Sequence, residues 1–202
     1  MSLEVATTGP HWLNRKPILS KTSLHDWGLE SIKTLVKSLS SVDEGVQTAA
    51  EHELLKLAGA TPGGRKVVIK ELLISISQKR ELDGTHSVLS PEMFGYWTSV
   101  TTLLRELKAS EGIEVMIRCV NCSNGYAGNM GEPPAAYNLV RMGALAVPKL
   151  SHALLTESDG YKRIKIVLRL SRIGGPQAKS ALKRALSSEK DKTVREYIRS
   201  AL

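Results

Sequence analysis

Apolar residues recur along most of this chain three and four positions apart, in runs separated by short polar or glycine-containing breaks. That spacing predicts amphipathic helices. The clearest run is Met93, Tyr96, Trp97, Val100, Leu104 and Leu107, which share one helical face behind Ser90, Pro91 and Glu92. Those three residues make a good helix start: a capping hydroxyl, a proline in the first turn and an acid at the positive end of the dipole. Val67, Val68, Leu72, Leu73 and Ile76 show the same period earlier. Their β-branched content suits a strand, but the length and context of the run favour helix. Ile113, Met116, Ile117 and Val120 predict a short helix, and Pro133 with Pro134 opens another over 135–142. Loops are expected at Asp83-Gly84 and over the glycine-rich 123–131, which contains the turn signal Asn124-Gly125.

The pattern also repeats. Moving 143–170 forward by 32 positions lays it on 175–202 without a gap, and ten of the 28 paired positions are identical. Gly143 meets Gly175, Leu150 meets Leu182, Asp159 meets Asp191, Arg163 meets Arg195 and Leu170 meets Leu202. Each unit reads as a first helix (144–156 in the earlier copy), a short acidic turn and a second helix (161–173). Residues 28–59 align with that unit at an offset of 115, pairing Leu35 with Leu150, Leu55 with Leu170 and Gly59 with Gly174. Helices are expected there over 30–40 and 46–57, with glycine closing each unit because a helix C-terminus favours a left-handed residue. Units of this size cannot bury an apolar face alone and do so by stacking. The expected fold class is all-α, a right-handed α-solenoid of about five degenerate hairpins over 28–59, 60–110, 111–142, 143–174 and 175–202. Residues 1–27 carry Trp12, Trp27, Pro10 and Pro17 without a sustained period, and read first as an extension that caps the first hairpin, with a disordered tail or a partner-binding segment as the alternatives.

Composition sharpens this picture in two places. Aromatic residues are only 4% of the 202, so Leu, Ile, Val and Ala must do most of the packing, which suits closely approaching helices. The net charge of +8 is uneven. From Arg141 onward there are 14 Lys and Arg against 5 Asp and Glu, or +9, whereas the first 140 residues hold 14 against 15, or −1. The cationic excess therefore sits on the last two units and favours acidic partners. Two cysteines are too few for a disulfide framework, and no run of about 18–20 apolar residues suits a bilayer. With no signal segment at the start, a cytoplasmic location is expected.

Few residues suggest reaction chemistry. Cys119 and Cys122, three apart, would share a helical face, but structural zinc takes four ligands and no second pair accompanies them. Packing, redox sensing and metal binding all stay open for this pair, packing first. Gly63 and Gly64 before Arg65 and Lys66 are readable as a phosphate cradle or, without P-loop spacing, as an inter-helix turn. No Ser/His/Asp set and no pair of carboxylates stands out; no catalytic residue, cofactor or metal is expected. The cations have the clearest geometry. Lys162, Lys165, Arg169 and Arg172 fall within about a quarter-turn of one another on the expected helix 161–173, on its solvent face, and Lys192, Arg195 and Arg199 extend the stripe. Such a stripe is a solvated face, a surface for an acidic protein or a contact for nucleic-acid phosphates.

The run Gly143-Ala-Leu-Ala-Val-Pro148-Lys-Leu150, the acidic turn, Arg163, and Ile173-Gly174-Gly175 resemble HEAT-like repeats of the short bacterial kind, also called PBS-lyase-type. Ala178, Leu182, Leu186, Asp191, Arg195 and Leu202 continue the match. The resemblance is good over 143–202, fair over 28–59 and weak between. It implies that Pro148 bends the first helix of its unit and that Arg163 and Arg195 brace neighbouring turns. Ser180 replaces that proline in the last unit, so a straighter helix is expected there. The resemblance further implies a concave surface lined by second helices, with the cation stripe facing it. The expected function is a non-catalytic protein–protein scaffold that binds an acidic partner through this basic face. Its alternative is a nucleic-acid-backbone binder using the same stripe. HEAT-fold enzymes such as bilin lyases and DNA glycosylases are a third class, and none of their catalytic residues can be matched here.

Overall fold

The computed structural model describes residues 28–82, 88–123 and 132–202. Among them the chain is all-helical. The helices are α1 (Leu29–Ser38), α2 (Glu44–Ala60), α3 (Gly64–Ser77), α4 (Pro91–Glu106), α5 (Ile113–Arg118), α6 (Pro134–Met142), α7 (Val147–Thr156), α8 (Gly160–Ile173), α9 (Gly175–Ser188) and α10 (Lys192–Ser200). Extended pairing among the described residues is limited to one bridge, where Leu89 N–H donates to the Ser123 carbonyl at 2.7 Å. The expected cap over 1–27 and the loop at 124–131 lie outside the described residues.

The even-numbered helices touch in sequence: α2 packs on α4, α4 on α6, α6 on α8 and α8 on α10. On the other side α1 packs on α3, α5 on α7 and α7 on α9. Apolar residues three and four apart cause this, since each helix turns one stripe towards its hairpin partner and two flanks towards its neighbours. α4 is the most enclosed. Its Tyr96, Trp97, Val100, Leu103 and Leu104 are fully buried, against a typical gain of about 1.5–3 kcal/mol per large apolar side chain. Met93, expected in that face, is only half-buried. The Tyr96 hydroxyl shares a 2.7 Å hydrogen bond with Ser75 of α3, and burial pushes its pKa up to about 12. A second buried tie joins α4 to α6: Asn138 Nδ2 donates to Thr101 Oγ1 at 2.8 Å while Arg105 Nη1 donates to Asn138 Oδ1 at 3.0 Å.

The first hairpin departs from the expected register. Asp43 caps α2 and Asp159 caps α8, each accepting from two backbone N–H groups, so the second helices align at an offset of 116 rather than 115. Buried Leu54, not Leu55, then matches Leu170, and buried Ala50 matches Ile166. One residue fewer separates buried Leu39 from the capping Asp43 than separates Leu154 from Asp159, and an ungapped alignment cannot register that. Gly59 lies inside α2 and closes nothing. Gly143 and Gly174 do take positive φ, at 60° and 67°. Pro148 falls in the first turn of α7, behind a 3₁₀ turn at Gly143–Leu145, whereas α9, with Ser180 instead, runs unbroken from Gly175 to Ser188.

α4 ends in a Schellman turn, with Ala109 N–H bonded to the Leu104 carbonyl and Lys108 N–H to that of Arg105. Lys108 occupies the left-handed position at φ 47°. Glycine is preferred there because a Cβ is strained in that conformation. Lys108→Gly is expected to stabilise the fold by about 1 kcal/mol, read as a higher urea midpoint at unchanged slope.

Candidate functional site

The acidic turns are the most regular feature of the cationic half. In each of the last two hairpins the aspartate caps the second helix: Asp159 Oδ1 accepts from Tyr161 N–H and Asp191 Oδ1 from Thr193 N–H, both at 2.8 Å. The glutamate two residues earlier closes the turn, Glu157 accepting from Asp159 N–H and Glu189 from Asp191 N–H. The arginine four residues after the cap reaches back. Arg163 Nη1 donates to the carbonyls of Glu157 and Ser158, and Arg195 Nη1 to those of Leu186 and Glu189. Arg163 also crosses to the next turn, where Nε and Nη2 donate to the two oxygens of Glu189 at 2.8 and 3.2 Å. In the first hairpin Gln47 takes the arginine's place, its Nε2 donating to the carbonyls of Leu39 and Ser41. The one-residue register shift hides Gln47 from an ungapped alignment.

These turns decide where the charge goes. Of the five acids from residue 141 onward, Glu157, Asp159, Glu189 and Asp191 are all committed to turns, leaving Glu196 on a helix face. The cations are mostly on the helices. Lys179, Lys183, Lys192 and Arg199 are exposed, and Lys165 stacks over the Tyr161 ring at 4.7 Å. The groove between α7 and α9, about 690 Å³, is lined by Pro148, Ser151, His152, Gln177 and Arg184 among others, without a carboxylate.

The expected seven-residue stripe is not one continuous exposed surface. Lys162 and Lys165 are half-buried and Arg172 is exposed, but Arg169 is only 6% exposed. Arg169 lies on the edge of α8 that turns towards α6, where Glu132 stands just before that helix. Both Arg169 and Arg172 pair with Glu132. Burial pulls the Arg169 pKa below the usual arginine value, with Glu132 opposing that and Arg172 adding to it. Arg195 is committed to its turn. Arg199 is exposed on α10 at the register position where α8 buries Val167, so the two helices do not present that position as one open stripe. Quarter-turn arithmetic locates charges on a helix but not which flank a neighbouring helix will cover.

The remaining candidates are simpler. Arg65 Nε and Nη2 donate to the carbonyls of Leu107 and Lys108 at the end of α4, which makes the Gly63-Gly64 break an inter-helix turn with its arginine already engaged. Cys119 and Cys122 do not share a helical face: α5 ends at Arg118, and both thiols are buried in the turn that follows. No group of three metal-ligating side chains occurs among the described residues. No helix among them is long and apolar enough to cross a membrane. Comparison of the chain with protein-family models, curated proteins and solved structures gives no significant match.

Proposed function

We infer that this protein is a HEAT-like α-solenoid that works by non-covalent binding, as a scaffold for an acidic protein partner. The sequential packing of the even-numbered helices and the repeated cap, glutamate and arginine of the turns support the solenoid reading. The observation that carries the binding reading is the segregation of charge. The acids of the last two hairpins lie in the turns, where hydrogen bonds hold them, so the helix faces between present cations almost alone. A pre-formed face of one sign steers an oppositely charged partner and raises its association rate. Tyr161, Tyr197 and Leu155 are exposed beside these cations and supply apolar contact.

Binding of a labelled acidic peptide and of a labelled DNA duplex at two salt concentrations tests this reading. An acidic-protein scaffold is expected to hold the peptide with micromolar affinity and to weaken with salt. A Lys179→Glu/Lys183→Glu variant is expected to lose about tenfold or more in affinity. Duplex binding whose log affinity falls with log salt by about 0.9 per neutralised phosphate, without peptide binding, would transfer the site to nucleic acid.

A further inference from the structure

Arg169 is the one place in the cationic half where the chain leaves a buried guanidinium incompletely matched. Its side chain is 8% exposed, and its Nε–H is fully buried without a hydrogen-bond acceptor. The nearest acid is Glu132, with Oε1 at 3.5 Å from that nitrogen. The same Oε1 is held by Arg172 Nη1, so two arginines converge on a single oxygen. Arg163 and Glu189 show what a completed pair looks like in this molecule, with Nε and Nη2 each donating to a different oxygen of one carboxylate. That fork is the arrangement arginine is shaped for. Glu132 does not supply it to Arg169: the oxygen nearest Nε is the same one that Arg172 holds.

The surroundings add positive potential without an acceptor. Glu132 stands two residues before α6, whose N-cap is Pro133 and whose first turn holds Pro134. Neither proline has a side chain able to cap, so the positive end of the α6 dipole, two residues after Glu132, is left without a side-chain acceptor. Arg172, with its side chain 52% exposed, forms the open rim. Buried polar groups left unmatched are rare, and each calls for a physical explanation.

We propose that Arg169 and Arg172 form the anchor site for a carboxylate side chain of the acidic partner, and that Glu132 is its intramolecular placeholder. The proposal rests on the binding reading above and locates it on the flank of α8 that meets α6. The partner's carboxylate displaces Glu132 and offers both oxygens to the two arginines, so Arg169 gains the acceptor it lacks. A carboxylate fits better than a phosphate because the group now seated there is itself a carboxylate.

The test uses the full chain and a fluorescein-labelled decaglutamate peptide, read by anisotropy at low salt. Glu132→Gln is expected to bind about tenfold more tightly than wild type, because the competing internal charge is gone. Glu196→Gln, the same charge change on the exposed face of α10, is expected to gain less than twofold. Adding Arg169→Met to Glu132→Gln should abolish the gain. Circular dichroism melts check folding, and the peptide should raise the melting temperature of Glu132→Gln more than that of wild type. Glu132→Asp, which keeps the charge but shortens its reach, should show an intermediate gain should Glu132→Gln fold poorly. Wild-type binding with no gain in Glu132→Gln, or a gain equal to that of Glu196→Gln, overturns the placeholder and leaves the scaffold reading in place. Absence of peptide binding in every variant overturns both. A gain seen with a labelled duplex and not with the peptide overturns the partner class.

Discussion

Arg163→Ala is expected to destabilise the protein by about 3–5 kcal/mol, the largest loss for any single charge in the last two hairpins. Arg163 is 14% exposed at its side chain and Glu189 9%, so truncation leaves a nearly buried carboxylate without its counter-charge. Four hydrogen bonds go at once: two to Glu189, and one each to the Glu157 and Ser158 carbonyls. Urea unfolding measures the loss. Arg195→Ala supplies the comparison, since that arginine donates to two carbonyls with no carboxylate bound to it, and about 1–2 kcal/mol is expected. Arg163→Lys should recover little, because a lysine ammonium cannot present two parallel donors to a carboxylate. A double-mutant cycle with Glu189→Ala should return a coupling above about 1 kcal/mol. A loss for Arg163→Ala no greater than for Arg195→Ala would show that the crossing contact between hairpins does not hold them together.

The turn motif was legible in the sequence because it depends on spacing, while the bracing role of its arginine was implied only by the resemblance. An aspartate, an arginine four residues on and a glutamate two residues before recur at a period of 32, and the two acids make the same hydrogen bonds in both copies. Only Arg163 crosses to the next turn, while Arg195, expected to brace a neighbouring turn, stays within its own hairpin. Helix identity was legible for the same reason, as the runs around Val68 and Trp97 show. Three features were not. Gln47 does the arginine's work with a different functional group, and a one-residue change of register between the two helices of its hairpin moves it out of alignment. Arg169 looked like part of an exposed stripe because periodicity on one helix carries no information about its neighbours. Its partner Glu132 lies 37 positions earlier, in a unit where the repeat is too degenerate to align. The thiols of Cys119 and Cys122 would share a face only on a helix continuing past Arg118, and the chain turns there instead.

Gly64→Ala is expected to cost about 3 kcal/mol, while Gly63→Ala beside it is expected to change stability by no more than about 0.5 kcal/mol. The two glycines are adjacent and chemically identical, so the difference isolates geometry. A Cβ on Gly64 would lie 2.3 Å from the Leu57 carbonyl oxygen and 3.0 Å from Thr61 Oγ1, and the first of these is backbone that cannot rotate away. A Cβ on Gly63 meets nothing within 4 Å. Accommodating the methyl group at Gly64 requires α3 to back away from the end of α2, which loosens the contact between them. It also drags Arg65, the next residue, from the Leu107 and Lys108 carbonyls that close α4. The loss should therefore appear at both ends of the α2–α4 unit, as faster amide exchange in the last turn of α2 and at the end of α4. Under the phosphate-cradle reading, both glycines would be required for a ligand's approach and neither for folding. Equal stability of the two variants would favour that reading over an inter-helix turn, and a loss confined to Gly64→Ala would remove it.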